Sequence, residues 1–186
     1  MRTNNIGMVG LAVMGRSLAL NMADHGYKVG GYNRSYAVTE HMLEAWPHEN
    51  FTGYSTLEEL VASLEKPRKV MLMVKAGKAV DAIIEQLIPL LEQGDIILDG
   101  GNSFFEDTIR REAYLKGKGL HYFGVGISGG EDGARFGPSI MPGGNKAAYE
   151  EIRPSPDAVL PRAEDVTPCR SYIGAIGALQ SVKIVH

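Results

Sequence analysis

Gly10-Leu11-Ala12-Val13-Met14-Gly15 separates an apolar run at residues 6–9 from a helical pattern at 14–23 with Met14, Leu18 and Met22 on one face. A strand-to-helix turn that cradles a diphosphate needs glycine at the first and last of these six positions and a small residue between them. The first glycine permits the tight turn, the small middle residue admits the anion to the positive end of the helix, and the last lets helix and strand pack closely. The hexapeptide decides the fold because strand, turn, helix and a second apolar run at 28–32 follow at the spacing of a βαβ unit.

The alternation continues outward. Apolar, β-branched bursts of strand length recur at 70–74, 96–98 and 121–125, and a short one at 51–54 belongs on a sheet edge. Ser55 and Thr56 precede Glu58 and Glu59, a doubled capping-box signal for a helix through Leu64, and helical patterns run over 79–91 and 105–115. Strand alternating with helix predicts an α/β protein of the Rossmann type, a doubly wound, mainly parallel sheet with helices on both faces. Beyond Gly144 the pattern predicts a helix at 146–152, a proline-dense stretch holding four of the nine prolines between Pro154 and Pro168, a brief strand at 171–173 and a helix at 179–186. We therefore expect one domain over 1–178, with 179–186 beginning a helix that leads out of it.

A length of 186 residues suits about one domain at roughly 150 residues each. A net charge of -3 disfavours attachment to nucleic acid by charge alone. No apolar stretch approaches the roughly 18 residues needed to cross a bilayer, and the single Cys169 cannot form an internal disulfide. These features predict a soluble cytoplasmic protein. The 23 glycines are well above the usual share of about 7%, and their positions are informative. Gly10, Asn33-Arg34-Ser35, Lys75-Ala76-Gly77, Gly100-Gly101-Asn102-Ser103 and the stretch from Gly126 to Gly130 each follow a strand. In an open parallel sheet those ends share one rim, where ligands bind.

About 20 residues after such a fingerprint, NAD-binding domains place an acidic residue that holds the adenosine ribose. Asn33-Arg34 stands there instead, removing the repulsion against a 2′-phosphate and offering a guanidinium to pair with it, so NADP is expected rather than NAD. Two readings stand for the glycine-rich stretch 126–144: a nest of backbone amides at Ser128-Gly129-Gly130 for a carboxylate or phosphate, or a structural omega-like loop. Lys183 and His186 share a helix face; they are a general base and its neighbour if Lys183 is neutral, or two solvated terminal cations if it is not. No metal-ligand spacing is present.

The fingerprint at 10–15, together with Asn33-Arg34-Ser35, Val74-Lys75-Ala76-Gly77, Asp99-Gly100-Gly101-Asn102-Ser103, the run Gly124 to Glu131 and Gly137-Pro138-Ser139-Ile140-Met141-Pro142-Gly143-Gly144, closely resembles the decarboxylating 6-phosphogluconate dehydrogenases. Dehydrogenases of smaller 3-hydroxy acids share the fingerprint and Ser-Gly-Gly but differ around 137–141. The resemblance implies NADP-dependent oxidation and decarboxylation of 6-phosphogluconate to ribulose 5-phosphate in the pentose phosphate pathway. It implies that Gly10, Leu11, Ala12, Val13, Met14, Gly15, Asn33, Arg34, Ser35, Val74, Lys75 and Ala76 hold NADP, and that Asn102, Ser128, Gly129 and Gly130 touch cofactor and substrate. It also makes Lys183 the general base and His186 a substrate ligand, with no metal.

The departures are a proline-rich 153–161 and Gly177-Ala178-Leu179-Gln180 where the family has Gly-Ala-Gly-His. The family's helical domain, which supplies its homodimer contacts and substrate-phosphate arginines, is absent from these 186 residues. The expectation is a coenzyme-binding part that is inactive alone. The alternatives are a catalytically dead NADP-binding module and a dehydrogenase of a smaller 3-hydroxy acid.

Overall fold

The computed structural model describes residues 3–143. Thirteen elements alternate along them: β1 (Ile6–Val9), α1 (Val13–Asp24), β2 (Val29–Tyr32), α2 (Tyr36–Ala45), β3 (Phe51–Tyr54), α3 (Leu57–Ala62), β4 (Lys69–Leu72), α4 (Lys78–Leu87), β5 (Ile96–Asp99), α5 (Phe105–Lys116), β6 (His121–Ser128), α6 (Gly130–Phe136) and β7 (Ser139–Gly143). They build one sheet in the order β3-β2-β1-β4-β5-β6-β7. All pairs are parallel except β6 with β7. The expected doubly wound fold, with residues 51–54 on an edge, is present.

Period-two alternation distributes the strands' side chains between two cores. Met8, Met71, Ile96, Leu98 and Phe123 join Leu18 and Met22 of α1 and Met42 of α2 on one face. Val9, Val70, Leu72, Ile97 and Tyr122 join Leu60 of α3, Ile84 of α4 and Leu115 of α5 on the other. From β1 the chain winds toward β3, then returns to place β4 on the opposite side of β1, so the topological switch point lies between β1 and β4.

Several expectations need correction. The helix expected over 79–91 ends at Leu87 and tightens into a 3-10 turn at Ile88–Leu90, because Pro89 has no amide to continue the ladder. Strand β4 stops at Leu72 rather than 74, since Met73 turns onto the rim after donating its amide to the Val9 carbonyl at 2.8 Å. Sequence periodicity overlooked α2, in which only Thr39 and Met42 are buried. The stretch 126–143 is not a loop throughout: β6 continues to Ser128 despite its glycines because β7 pairs with it antiparallel from Gly124 to Ser128, and α6 follows. The elements expected at 146–152, 171–173 and 179–186, and the boundary at 178, lie outside the described residues.

The capping box forms with one variation. Thr56 Oγ1 accepts from the Glu59 amide at 3.2 Å, while Glu59 Oε2 accepts from the Ser55 amide at 3.2 Å and its hydroxyl at 2.8 Å. These bonds, the Ser55 hydroxyl foremost, hold the Glu59 carboxyl below its usual pKa. Thr56→Ala should lower the unfolding free energy by about 1 kcal/mol, seen as an earlier urea midpoint with an unchanged slope.

Candidate functional site: a neutral cleft at the switch point

The register of the sheet builds the site. Val9 lies opposite Tyr32 and Leu72, Leu72 opposite Asp99, and Asp99 opposite Gly124, so the strands leave the sheet at one level. The residues that follow form a continuous rim. At its centre Gly10 has φ +97, and a Cβ there would stand 2.4 Å from the Met73 carbonyl oxygen. A Cβ on Gly15 would stand 1.9 Å from the Gly10 carbonyl oxygen. The turn is therefore closed to any side chain at either position, which is the geometry the fingerprint predicts.

Helix α1 begins with its positive end open. Its N-cap is Ala12, no side chain caps it, and no acidic residue sits in its first turn. An external anion fits that end electrostatically. Beside it, Asn33 Oδ1 accepts from the Leu11 amide at 3.1 Å and Asn33 Nδ2 donates to the Ser35 carbonyl at 3.2 Å, tying the first rim loop to the second. Arg34 is exposed and has no ion-pair partner among the described residues.

A cleft of about 420 Å³ opens at the switch point. Ala12, Val13, Met14 and Gly15 form one wall, Met73 and Val74 the floor, and Gly100, Gly101 and Asn102, with Ile127, the far wall. Of the residues expected to hold a cofactor, Ala12, Val13, Met14, Gly15, Val74 and Asn102 line this cleft. Gly10 and the buried Leu11 support it from behind, and Asn33, Arg34 and Ser35 lie on the adjoining rim. Lys75 and Ala76 follow Val74 outside the lining, as do the exposed Ser128, Gly129 and Gly130 at the end of β6. Lys183 and His186 lie outside the described residues. Sequence reasoning left Met73, Gly100, Gly101 and Ile127 out of the site. Gly100, Gly101 and Ile127 belong to the rim loops expected at 100–103 and 126–130 but carry no assigned role there, whereas Met73 reads as part of the strand expected over 70–74. No lining residue is ionisable, so this cleft can bind and orient a ligand but brings no acid or base of its own.

Behind the far wall lies a buried polar network. The Asp99 carboxylate, with no exposed surface, accepts from the Gly101 amide at 2.9 Å, the Ser103 hydroxyl at 2.6 Å and the Tyr122 hydroxyl at 2.5 Å. Arg111, 1% exposed, donates from Nη1 to Ser103 Oγ at 2.9 Å, from Nε to Asp81 at 2.8 Å and from Nη2 to the Gly77 carbonyl at 3.0 Å. Burial, then the negative charge of Asp99, pushes the Tyr122 hydroxyl far above its usual pKa, so it remains a donor. The Arg111 hydrogen bond, against some burial, holds the Asp81 carboxyl below the usual range. Asn102 has φ +62 in this loop, a left-handed conformation that asparagine adopts more readily than most non-glycine residues.

Comparison with known proteins adds to this geometry. A family model described as the NAD binding domain of 6-phosphogluconate dehydrogenase matches residues 5–161. The decarboxylating 6-phosphogluconate dehydrogenase of Salmonella typhimurium is 53% identical over 186 residues, all of this chain and 40% of that protein. The chain thus spans about two-fifths of the length of the curated relatives it matches. Among solved structures, Plasmodium falciparum 6-phosphogluconate dehydrogenase, described in its apo form and in complex with NADP+ and with 6-phosphogluconate, superposes with a TM-score of 0.89 at 44% identity, over 98% of this chain and 39% of that one. A Mycobacterium tuberculosis 3-hydroxyisobutyrate dehydrogenase superposes at 0.80 with 20% identity, over 98% and 58%, a likeness of fold alone.

Two predictions test the site's physics. Gly15→Ala should cost about 3 kcal/mol in urea unfolding, the upper end for overpacking, because a backbone oxygen must move. Tyr122 keeps its proton above the ordinary value of 10.0, so the folded state binds more protons than the unfolded one there and stability falls as pH rises. In Tyr122→Phe the decline of unfolding free energy above pH 10 should be shallower than in the wild type.

Proposed function

Because this chain belongs to the 6-phosphogluconate dehydrogenase family, shown by the match over residues 5–161, we propose that it is the coenzyme-binding part of an enzyme that oxidatively decarboxylates 6-phosphogluconate to ribulose 5-phosphate with NADP. One observation carries this reading. An uncapped helix end and a glycine-walled cleft adjoin an exposed arginine where a ribose-binding carboxylate would otherwise stand.

The residues present fit the cofactor. The open end of α1 suits the diphosphate, and the absent Cβ atoms of Gly10 and Gly15 keep the turn tight enough for its approach. Arg34 would pair with the 2′-phosphate, while Asn33 keeps its side chain for the Leu11 amide and holds the two loops together. Val74 and Asn102 line the opposite end of the cleft, where they would orient the nicotinamide half against the substrate. When bound, NADP supplies the hydride acceptor. The proton of the oxidised hydroxyl is assigned to Lys183 and a substrate contact to His186, both by family resemblance. Ser128, Gly129 and Gly130 would meet the substrate from the end of β6. The proposed setting is the cytoplasm and the pentose phosphate pathway, with pairing of subunits left to the family's helical domain.

The neutral lining also favours a second reading, a module that binds NADP without turnover. Calorimetric titration with NADP and NAD, followed by an assay for NADPH formation from 6-phosphogluconate, separates the two. Preferential NADP binding supports both readings, turnover selects the enzyme, and binding of neither nucleotide overturns both. Arg34→Ala should weaken NADP by about ten- to a hundredfold, a charge-assisted contact of about 1.5–3 kcal/mol, and leave NAD nearly unchanged.

A further inference from the structure

Arg111 is among the largest fully buried side chains described, yet it lines no part of the cleft. It projects from α5 and is 1% exposed, a buried charge of the kind that well-packed hydrophobic residues often replace without loss of stability. Its three nitrogens reach two different rim loops. Nη2 donates to the carbonyl of Gly77, which ends the loop after β4 and caps α4, and Nε fixes Asp81 one turn into that helix. Nη1 donates to Ser103, which with Asp99 holds the loop after β5. Those loops carry Val74 and Asn102 into the cleft. They also touch directly, since a Cβ on Gly101 would stand 2.5 Å from the Val74 carbonyl oxygen.

We propose that Arg111 is a positioning residue that locks the β4 and β5 rim loops into one rigid body, and so sets the affinity of the cleft for the nicotinamide half of the cofactor. The proposal rests on the NADP reading. Its directional content comes from the order of the rim. Arg34 follows β2, the helix end follows β1, and the clamped loops follow β4 and β5. A dinucleotide with its 2′-phosphate at Arg34 and its diphosphate at α1 lays only its nicotinamide half against the clamp.

The experiment uses the 186-residue chain as wild type, Arg111→Lys and Asp81→Asn. Each is titrated with NADP and with 2′,5′-ADP, the adenosine half carrying the same 2′-phosphate, and the emission of bound NADPH is recorded. Arg111→Lys should weaken NADP about tenfold, in the range of coupling through a packed network, and reduce the nicotinamide emission change. Its 2′,5′-ADP affinity should stay within about twofold. Asp81→Asn, on the helix surface, should move the same ratio in the same direction and serves as the test if Arg111→Lys does not fold. Equal loss of both ligands, or no loss of either, in a variant with a native circular dichroism spectrum would make the network merely structural and overturn the proposal. If the wild type binds 2′,5′-ADP but the ratio is unmoved, only this inference fails. If it binds neither ligand, the cofactor reading falls and takes the proposal with it.

Discussion

Parallel pairing on both sides of β1 is the constraint from which the rest of the molecule follows. A parallel neighbour cannot be reached by a tight turn, so after each strand the chain must cross back over a face of the sheet before pairing again. Every strand-to-helix loop is thereby delivered to the same rim, and every helix is pressed onto one of two apolar faces. The match of Val9 with Tyr32 and with Leu72 sets the level of that rim. The reversal of winding at β1 opens it between α1 and the loops after β4 and β5.

What the rim offers is backbone rather than side chain. Glycine, alanine, valine and methionine dominate the cleft, and its field comes from the unpaired amides of α1 rather than from net charge, which is slightly negative for the chain. Such a site suits a large ligand carrying its own reactive group, because close approach and orientation are supplied without competing acids or bases. Arg34 stands apart on the β2 loop, exposed and without an ion-pair partner among the described residues.

The site's walls are held by groups that never touch the cleft. Asp99, Tyr122, Ser103 and Arg111 satisfy one another inside an otherwise apolar layer, and removing one partner from such a set typically strands a buried charge at a cost of about 3–5 kcal/mol. That cost makes the two loops behave as a unit. Asn102 sits beside them at φ +62, a left-handed conformation that asparagine tolerates better than most non-glycine residues.

Local pattern was enough for whatever depends on neighbours in the chain. The apolar bursts of β1 and β5, the capping box at Thr56 and Glu59, the glycines of the first turn and the missing carboxylate at Asn33-Arg34 are all readable without a fold. Helix α2 escaped because it buries too little to show a stripe, and β6 escaped at its end because strand pairing, not propensity, keeps Gly126 extended. The Arg111 network was invisible for a different reason. In a run as charged as residues 105–116 an arginine reads as a solvated side chain, and its partner Asp81 is 30 positions away. The amino-acid sequence by itself determined the alternation of strand and helix and the chemistry of the phosphate turn, because both rest on short-range geometry. Only the tertiary structure decided which loops meet across the cleft and which charges are buried behind it, because those depend on strand order and on the removal of water.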